Sequence, residues 1–498
     1  MRPLLVIGFG LALVAGCQSP ASPVLTGTGA PASSLPTPDP ESPPATAGDD
    51  DQWERAGSMA LQRFGAGAAR LGDGRVLVVG NEFSQEGDDP NTTAEVWDPA
   101  TMTWAPTAGL NKFRQDFAVA ELADGRVLVT GGLNFDEPRQ SYSSAYVYDG
   151  SLGLEGWAKV GLMTAARTAP AVAVLPDGRV LVAGGYFYTG DTEDTGTIEG
   201  SGALAGVAAA PRAILAAARL VSPGPGESPR PPLDDVDMPP HGYALATAEL
   251  FDPAAGTWSP TGSMAFARAG AAAVTLADGR ILVVGSTELN VTEVDLRAYD
   301  TAEIYDPTTG RFTLTGQLPD VDREAIEGLG VSLPESDPAP AANGTLVALA
   351  DGGAVLIART GWWKHQAEIS RSFRFHATTG EWDEIGQPCA WVDNHDADNV
   401  ARTPGVCRVN AQVAKLPDGR VLVAGGQGAY QIGGTSTTSV ELYDPTSNSW
   451  SPQSPMPEAR SSGAAVVLGD GSVLIVGGDG GFEGGGLKVW ASAVQYIP

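Results

Sequence analysis

Residues 175–185 read Leu-Pro-Asp-Gly-Arg-Val-Leu-Val-Ala-Gly-Gly, and this phrase decides how the chain is organised. It recurs as LGDGRVLVVG (71–80), LADGRVLVTGG (122–132), LADGRILVVG (276–285), LADGGAVLIA (349–358), LPDGRVLVAGG (416–426) and LGDGSVLIVGG (468–478), seven copies in all. Asp-Gly between two apolar runs is a hairpin signal, because Gly accepts positive φ. The run before it is rich in Ala, Gly and Val, side chains small enough for a strand crowded around an axis. The run after it reads as a buried strand.

A second phrase follows each hairpin. It appears as AEVWDPATMTW (94–104), AELFDPAAGTW (248–258), AEIYDPTTGRF (302–312) and VELYDPTSNSW (440–450), with looser copies at 145–157 and 373–382. An aromatic strand meets an Asp-Pro turn, and Trp or Phe opens the next strand. Each repeat is therefore four strands, a-b-c-d. The first three copies start 51 and 53 residues apart. The paired Gly after strand b, the aromatic in strand c and the spaced Trp resemble kelch repeats over residues 53–498, with the fifth copy the loosest. The resemblance implies an all-β, seven-bladed kelch-type β-propeller related to the galactose oxidase-like central domain. The seventh copy lacks strand d, and Trp53–Met59 matches that strand elsewhere. The N-terminal strand is expected to close the last blade, which removes exposed sheet edges.

The segment before the repeats has a different character. Met1 and Arg2 precede an apolar run, Leu4 to Val14, too short to span a bilayer as a mature helix. It ends in Leu13-Val14-Ala15-Gly16-Cys17, which resembles the lipobox of bacterial lipoproteins. The resemblance implies a signal peptide over 1–16, lipidation of Cys17 and display at the cell envelope, at the outer membrane where there are two membranes. An ordinary secretory signal with an incidental Cys is the plainer alternative. Residues 17–52 are rich in Pro, Ser and Thr and read as a disordered tether, reaching roughly 30 Å as a coil and about 100 Å as polyproline II.

Acidic residues number 59 against 30 basic, a net charge of −29. That balance disfavours nucleic acid as a partner, which needs a basic footprint, and none is expected. It suits solubility, cations or basic partners. Cys389 and Cys407 most simply form one disulfide in an exported protein, worth about 3 kcal/mol by loop-closure entropy. A metal pair or free thiols are the alternatives.

In an a-b-c-d meander the b–c and d–a connections share a face. The long insertions at 186–247, 319–343 and 388–409, and a shorter one at 286–301, all fall in those connections. Function is expected on that face, since variable loops on a rigid scaffold carry binding. Arg63, Arg114, Arg167, Arg268 and Arg460 follow a Met/Leu-x-x-x-Arg spacing in five d–a connections. They are candidates to hold a carboxylate, sulfate or acidic sugar at the channel mouth. The structural reading is that each ties blades together. Tyr186, Tyr188, Trp362, Trp363 and Trp391 are candidates for stacking on sugars, or for packing the insertions. Asp393, Asp396 and Asp398 alternate as Ca²⁺ ligands would, yet the spacing matches no standard loop and lacks the central Gly. A solvated acidic loop explains them as well, and no cofactor is expected. Residues 201–220 have the composition of a short helix.

Galactose oxidase needs two His, a Tyr and a Cys-linked Tyr around copper. The four His here (241, 365, 376 and 395) do not reproduce that constellation. No nucleophile triad, phosphate loop or zinc spacing stands in the chain. The expectation is a monomeric, non-enzymatic binding protein for a glycan, peptide or protein ligand. The alternative is an extracytoplasmic sugar-processing enzyme, since exported kelch proteins include a sialic acid mutarotase.

Overall fold

The computed structural model describes residues 52–80, 93–110, 112–134, 140–188, 243–286, 298–319, 341–362, 367–386, 408–428, 436–483 and 486–498. Cys17, Cys389, Cys407, Trp363, Trp391, Asp393, Asp396, Asp398 and the candidate helix at 201–220 lie outside them.

Seven four-stranded antiparallel sheets form the blades of the propeller. Blade 1 has strands a (Gly67–Arg70), b (Val76–Val79), c (Ala94–Asp98) and d (Thr103–Thr107). The same a-b-c-d order builds the others over 118–159, 171–260, 272–317, 341–384 and 412–452. In blade 7, Ala464–Val467, Val473–Val476 and Ser492–Tyr496 are joined by Trp53–Ser58 as strand d, with Trp53 opposite Tyr496. The ring closes as the sequence predicts.

The phrase that defines the repeat folds as a hairpin. Gly74 adopts φ +92, and its amide donates to the Leu71 carbonyl. Asp73 accepts from the Arg75 amide and side chain. In every blade strand b is buried along its length, except where side chains of blade 5 are not described, while strand d is mostly exposed. Alternation along strand b then divides its side chains between two neighbours. Val76 and Val78 pack with Leu474 and Val476 of blade 7, and Leu77 and Val79 with Val127 and Val129 of blade 2. Each such side chain contributes roughly 1.5–3 kcal/mol by burial. Strand a shows why its residues are small: a Cβ on Gly67 would come within 2.5 Å of Val119.

The strand c aromatic stacks on the residue opening strand d, as in Phe251 on Trp258 at 5.0 Å and Tyr443 on Trp450 at 5.1 Å. Several of these indoles also donate to the preceding blade: Trp104 to Ala56, Trp157 to Ala108 and Trp450 to Ile385. Among the described residues, two-stranded extensions rise from the insertion end in four blades. They pair 133–134 with 140–141, 186–187 with 243–244, 427–428 with 408–409, and 479–483 with 486–489.

Candidate functional site at the channel mouth

The five arginines are not on the channel wall, which corrects their assignment as ligand contacts. Their side chains are 0–1 % exposed. Arg167 Nη1 donates to the carbonyls of Gly184 (2.8 Å) and Thr247 (2.7 Å), and Nη2 to Thr247 Oγ1 and Glu249 Oε1 (3.1 Å). Arg63 repeats the set on Gly80, Thr93 and Glu95, and Arg268 on Gly285, Thr301 and Glu303. Arg460 uses Gly477, Ser492 and Glu458, because Val494 stands where blades 1, 3, 4 and 6 carry the Glu. Arg114 bonds Gly131 and Ser144 and lies over the Tyr142 and Tyr146 rings. In each case the Gly carbonyl lies 17 residues after the Arg.

The Arg backbone completes the tie between blades. The amides of Gly132, Gly185, Gly426 and Gly478 donate to the carbonyls of Arg167, Arg268, Arg460 and Arg63, each in the next blade. One residue thus grips its own blade by its guanidinium and the preceding blade by its carbonyl. Burial pushes Arg167 down, with Glu249 opposing. Arg460 is pushed by burial down to about 10, against the pull of Glu458. Arg460 stays charged at neutral pH, and in both residues the Nη atoms are held by internal acceptors.

Tyr186 is buried against Leu133, Ala244 and Ala269, and Tyr188 is half-buried at the edge of that cluster. Tyr186 therefore packs between neighbouring blades, while Tyr188 keeps part of its surface open. Among the four His, only His376 falls within the described residues, paired with Asp383 at the opposite end of the propeller. Among the described residues no three His, Cys, Asp or Glu are grouped to hold a metal.

What does face the axis stands two residues after each Arg. Gly65, Asp116, Ala169, Gly270 and Ser462 all adopt φ between +47 and +65, and so does Asn410 (φ +57) in blade 6. The last follows Arg408, which is also 17 residues before Gly425 but follows no Met or Leu at the expected spacing. Neighbouring members are laced by main-chain bonds: Gly65 to Ser462, Ser462 to Asn410, Gly270 to Ala169 and Ala169 to Asp116, at 2.7–2.9 Å. These residues rim a cavity of about 440 Å³ at the insertion end of the channel, whose wall includes Phe117, Val119, Pro170, Ile357 and Val413.

Asp116 is the charged residue among the described lining residues. It is only half-buried by surface and lines the cavity, yet protein surrounds it as closely as a core acid, and that burial pushes its carboxyl up to about 7. The accessible surface is the better guide to what can reach it. Sequence reading missed this residue. Its signal is a column two positions after Arg, filled by Gly, Asp, Ala, Asn or Ser, of which Gly, Asp and Asn readily accept a left-handed turn.

With this geometry in place, comparison with known proteins supports the repeat assignment. A Kelch motif profile matches residues 417–457. The spermatocyte protein spe-26 of Caenorhabditis elegans is 35% identical over 89 residues, 17% of this chain; the matched part spans only 15% of that relative's length. Among solved structures, a fungal alcohol oxidase of the AA5 family in complex with copper aligns with a TM-score of 0.53 and 15% identity, over 89% of this chain and 75% of that one. YjhT aligns with a TM-score of 0.43 and 14% identity, over 87% of this chain and 95% of that one. The oxidase similarity establishes shared fold alone. The chain carries a Kelch motif at residues 417–457 and folds as a seven-bladed β-propeller.

Proposed function

We propose that this kelch-repeat propeller is an envelope-displayed binding module whose glycan, peptide or protein ligand seats at the channel mouth. The observation that carries the reading is the cavity at the insertion end of the axis, rimmed by left-handed residues and holding one carboxyl without an internal partner. Its volume lies in the range of small-ligand pockets. Lipidation at Cys17 and the tether at 17–52 would lift that face off the membrane. The full chain, screened on glycan and peptide arrays, is expected to bind a defined set. Ala66→Trp, which fills the mouth, should abolish it; array binding untouched by Ala66→Trp would sink the choice of site. Cys17→Ser should release the protein from the membrane fraction, and retention there would count against the anchor.

One observation favours the sugar-processing alternative. A carboxyl near pKa 7 is suited to proton transfer at neutral pH, and Asp116 faces the cavity. Anomeric exchange of an array-positive sugar, followed by NMR with and without the protein, decides it. Acceleration lost in Asp116→Asn supports the enzyme, and an unchanged exchange rate removes it.

A further inference from the structure

The channel mouth is a poor place for an anion. The five guanidinium groups of the d–a connections are buried in the blades, with their Nη atoms bonded to internal acceptors. Four main-chain amides of the rim, those of Gly65, Ala169, Gly270 and Ser462, already donate to the neighbouring blade. The remaining described polar lining is the Asp116 carboxylate, main-chain carbonyls with a second lone pair, and the Asn410, Ser462 and Thr345 side chains, which both donate and accept, so its one formal charge is negative. Below the rim the wall turns apolar, with Phe117, Val119, Pro170, Ile357 and Val413. Four sides therefore present methyl, methylene or ring surface around a single acid.

We infer that the mouth recognises a primary ammonium group carried on an apolar stem, the chemistry of a lysine side chain or a free alkyl amine, with Asp116 as its counter-ion. This rests on the channel mouth being the ligand site. Asp116 sits at φ +51 with no hydrogen-bond or ion-pair partner among the described residues, and no other charged side chain among them lines the cavity. A carboxylate brought into such surroundings is costly to ionise unless a cation arrives with it. The stem finds the apolar wall, and the net charge of −29 draws cations toward the protein.

Three consequences can be read. A neutral isostere lacks the pairing, so pentylammonium should bind the full chain at least about tenfold more tightly than 1-pentanol, a difference typical of one charged contact. The amine stays protonated throughout the accessible range, so its affinity follows ionisation of Asp116. It should rise about tenfold per pH unit from pH 5.5 toward 7 and level off above. The pairing also expels the Asp116 proton, so calorimetric heats at pH 6 should differ between buffers of different ionisation enthalpy.

The test is calorimetric titration of the full chain with pentylammonium, 1-pentanol and pentanoate across pH 5.5–8.5, repeated on Asp116→Asn. Asn accepts positive φ, so that variant keeps the rim; it should bind the amine no better than the alcohol. If Asp116→Asn failed to fold, the pH slope of the unaltered protein would still decide. Equal binding of amine and alcohol, preference for pentanoate, or a flat pH profile would overturn the inference. Array binding that Ala66→Trp abolishes would meanwhile keep the mouth as a site for another chemistry. Tighter binding of a blocked lysine than of cadaverine assigns the ammonium to a peptide side chain, and the reverse order assigns it to a free amine; both orders support the inference.

Discussion

The two ends of this propeller each carry a set of arginines, and they do different work. At the insertion end, Arg63, Arg114, Arg167, Arg268 and Arg460 are sealed inside the blades. At the other end, Arg75, Arg126, Arg179, Arg280 and Arg420 each pair with the Asp two residues earlier in the Asp-Gly-Arg turn. That pairing is local and roughly a third to a half exposed, as in Arg179 at 36% and Asp177 at 49%. Chemically identical groups thus act as interior girders at one end and turn decorations at the other. Desolvation separates them: a charge in water gains little from a partner, whereas a buried one cannot lose its partner without stranding it.

The sharpest way to break this contrast is to remove one arginine from each end of the same blade. Arg167→Met leaves Glu249 buried without its cation and should cost about 3–5 kcal/mol, read from denaturant midpoints at constant m-value. Arg179→Met should cost less than about 1 kcal/mol, and less still in 1 M salt. Equal losses would mean that the interior bonds contribute nothing beyond a surface pair.

Glycine gives a second, smaller comparison. Gly184 has φ +65, and a Cβ there would sit 2.4 Å from the Arg268 carbonyl of the next blade. Gly178 has φ +87 with only the Ala123 Cβ near, at 3.7 Å. Gly178→Ala should cost about 1 kcal/mol for backbone strain alone, and Gly184→Ala about 2–3 kcal/mol because the blades must also part. Similar thermal shifts for both would show that the interblade bond is slack.

The smallest effect reverses sign between ends. The Asp177 carboxyl is held below its ordinary range, chiefly by the hydrogen bond from Arg179, so its contribution is present above the unfolded-state value and fades as pH falls. The Asp116 carboxyl is pushed up to about 7 by burial. Between roughly pH 4 and 7 the unfolded chain has it ionised while the folded one keeps its proton, so stability is lost as pH rises through that window. Asp116→Asn should therefore stabilise the protein at pH 8 by about 1–2 kcal/mol, a figure reduced for the solvent-facing edge, with no gain below pH 4. Asp177→Asn should destabilise it by under 1 kcal/mol. A stabilising Asp177→Asn, or a pH-independent Asp116→Asn, would erase the distinction.

How much of this could be read from sequence follows from how local each signal is. Asp73-Gly74-Arg75 and its copies form their bonds within a few residues, so the hairpins, the blade count and the closing role of Trp53 were legible. The loosest copy, in blade 5, still folds as four strands, although Arg371 there pairs with Glu384 and Ala358 stands where other blades carry the first Gly after strand b. The direction of Arg63 was not legible. Its acceptors, Gly80, Thr93 and Glu95, are spread over two strands, and spacing alone does not say whether a guanidinium turns inward or toward the axis. Asp116 was hidden for a different reason. Its column mixes Gly, Asp, Ala, Asn and Ser, which share a backbone conformation and no side-chain chemistry.

The seam between Trp53–Ser58 and Ser492–Tyr496 also bears on how the molecule comes to be folded. During synthesis the first strand of the propeller emerges before every blade and finds its place only after the last one has been made. Until then it is an orphan edge, and blade 7 is a sheet with a vacancy. Pairings this distant in sequence are the slowest to form. They are also the ones another copy of the same strand can satisfy, because an identical element from a neighbouring molecule fits the vacancy equally well. The bond that makes the ring complete is therefore the one through which crowded, newly made chains would exchange partners.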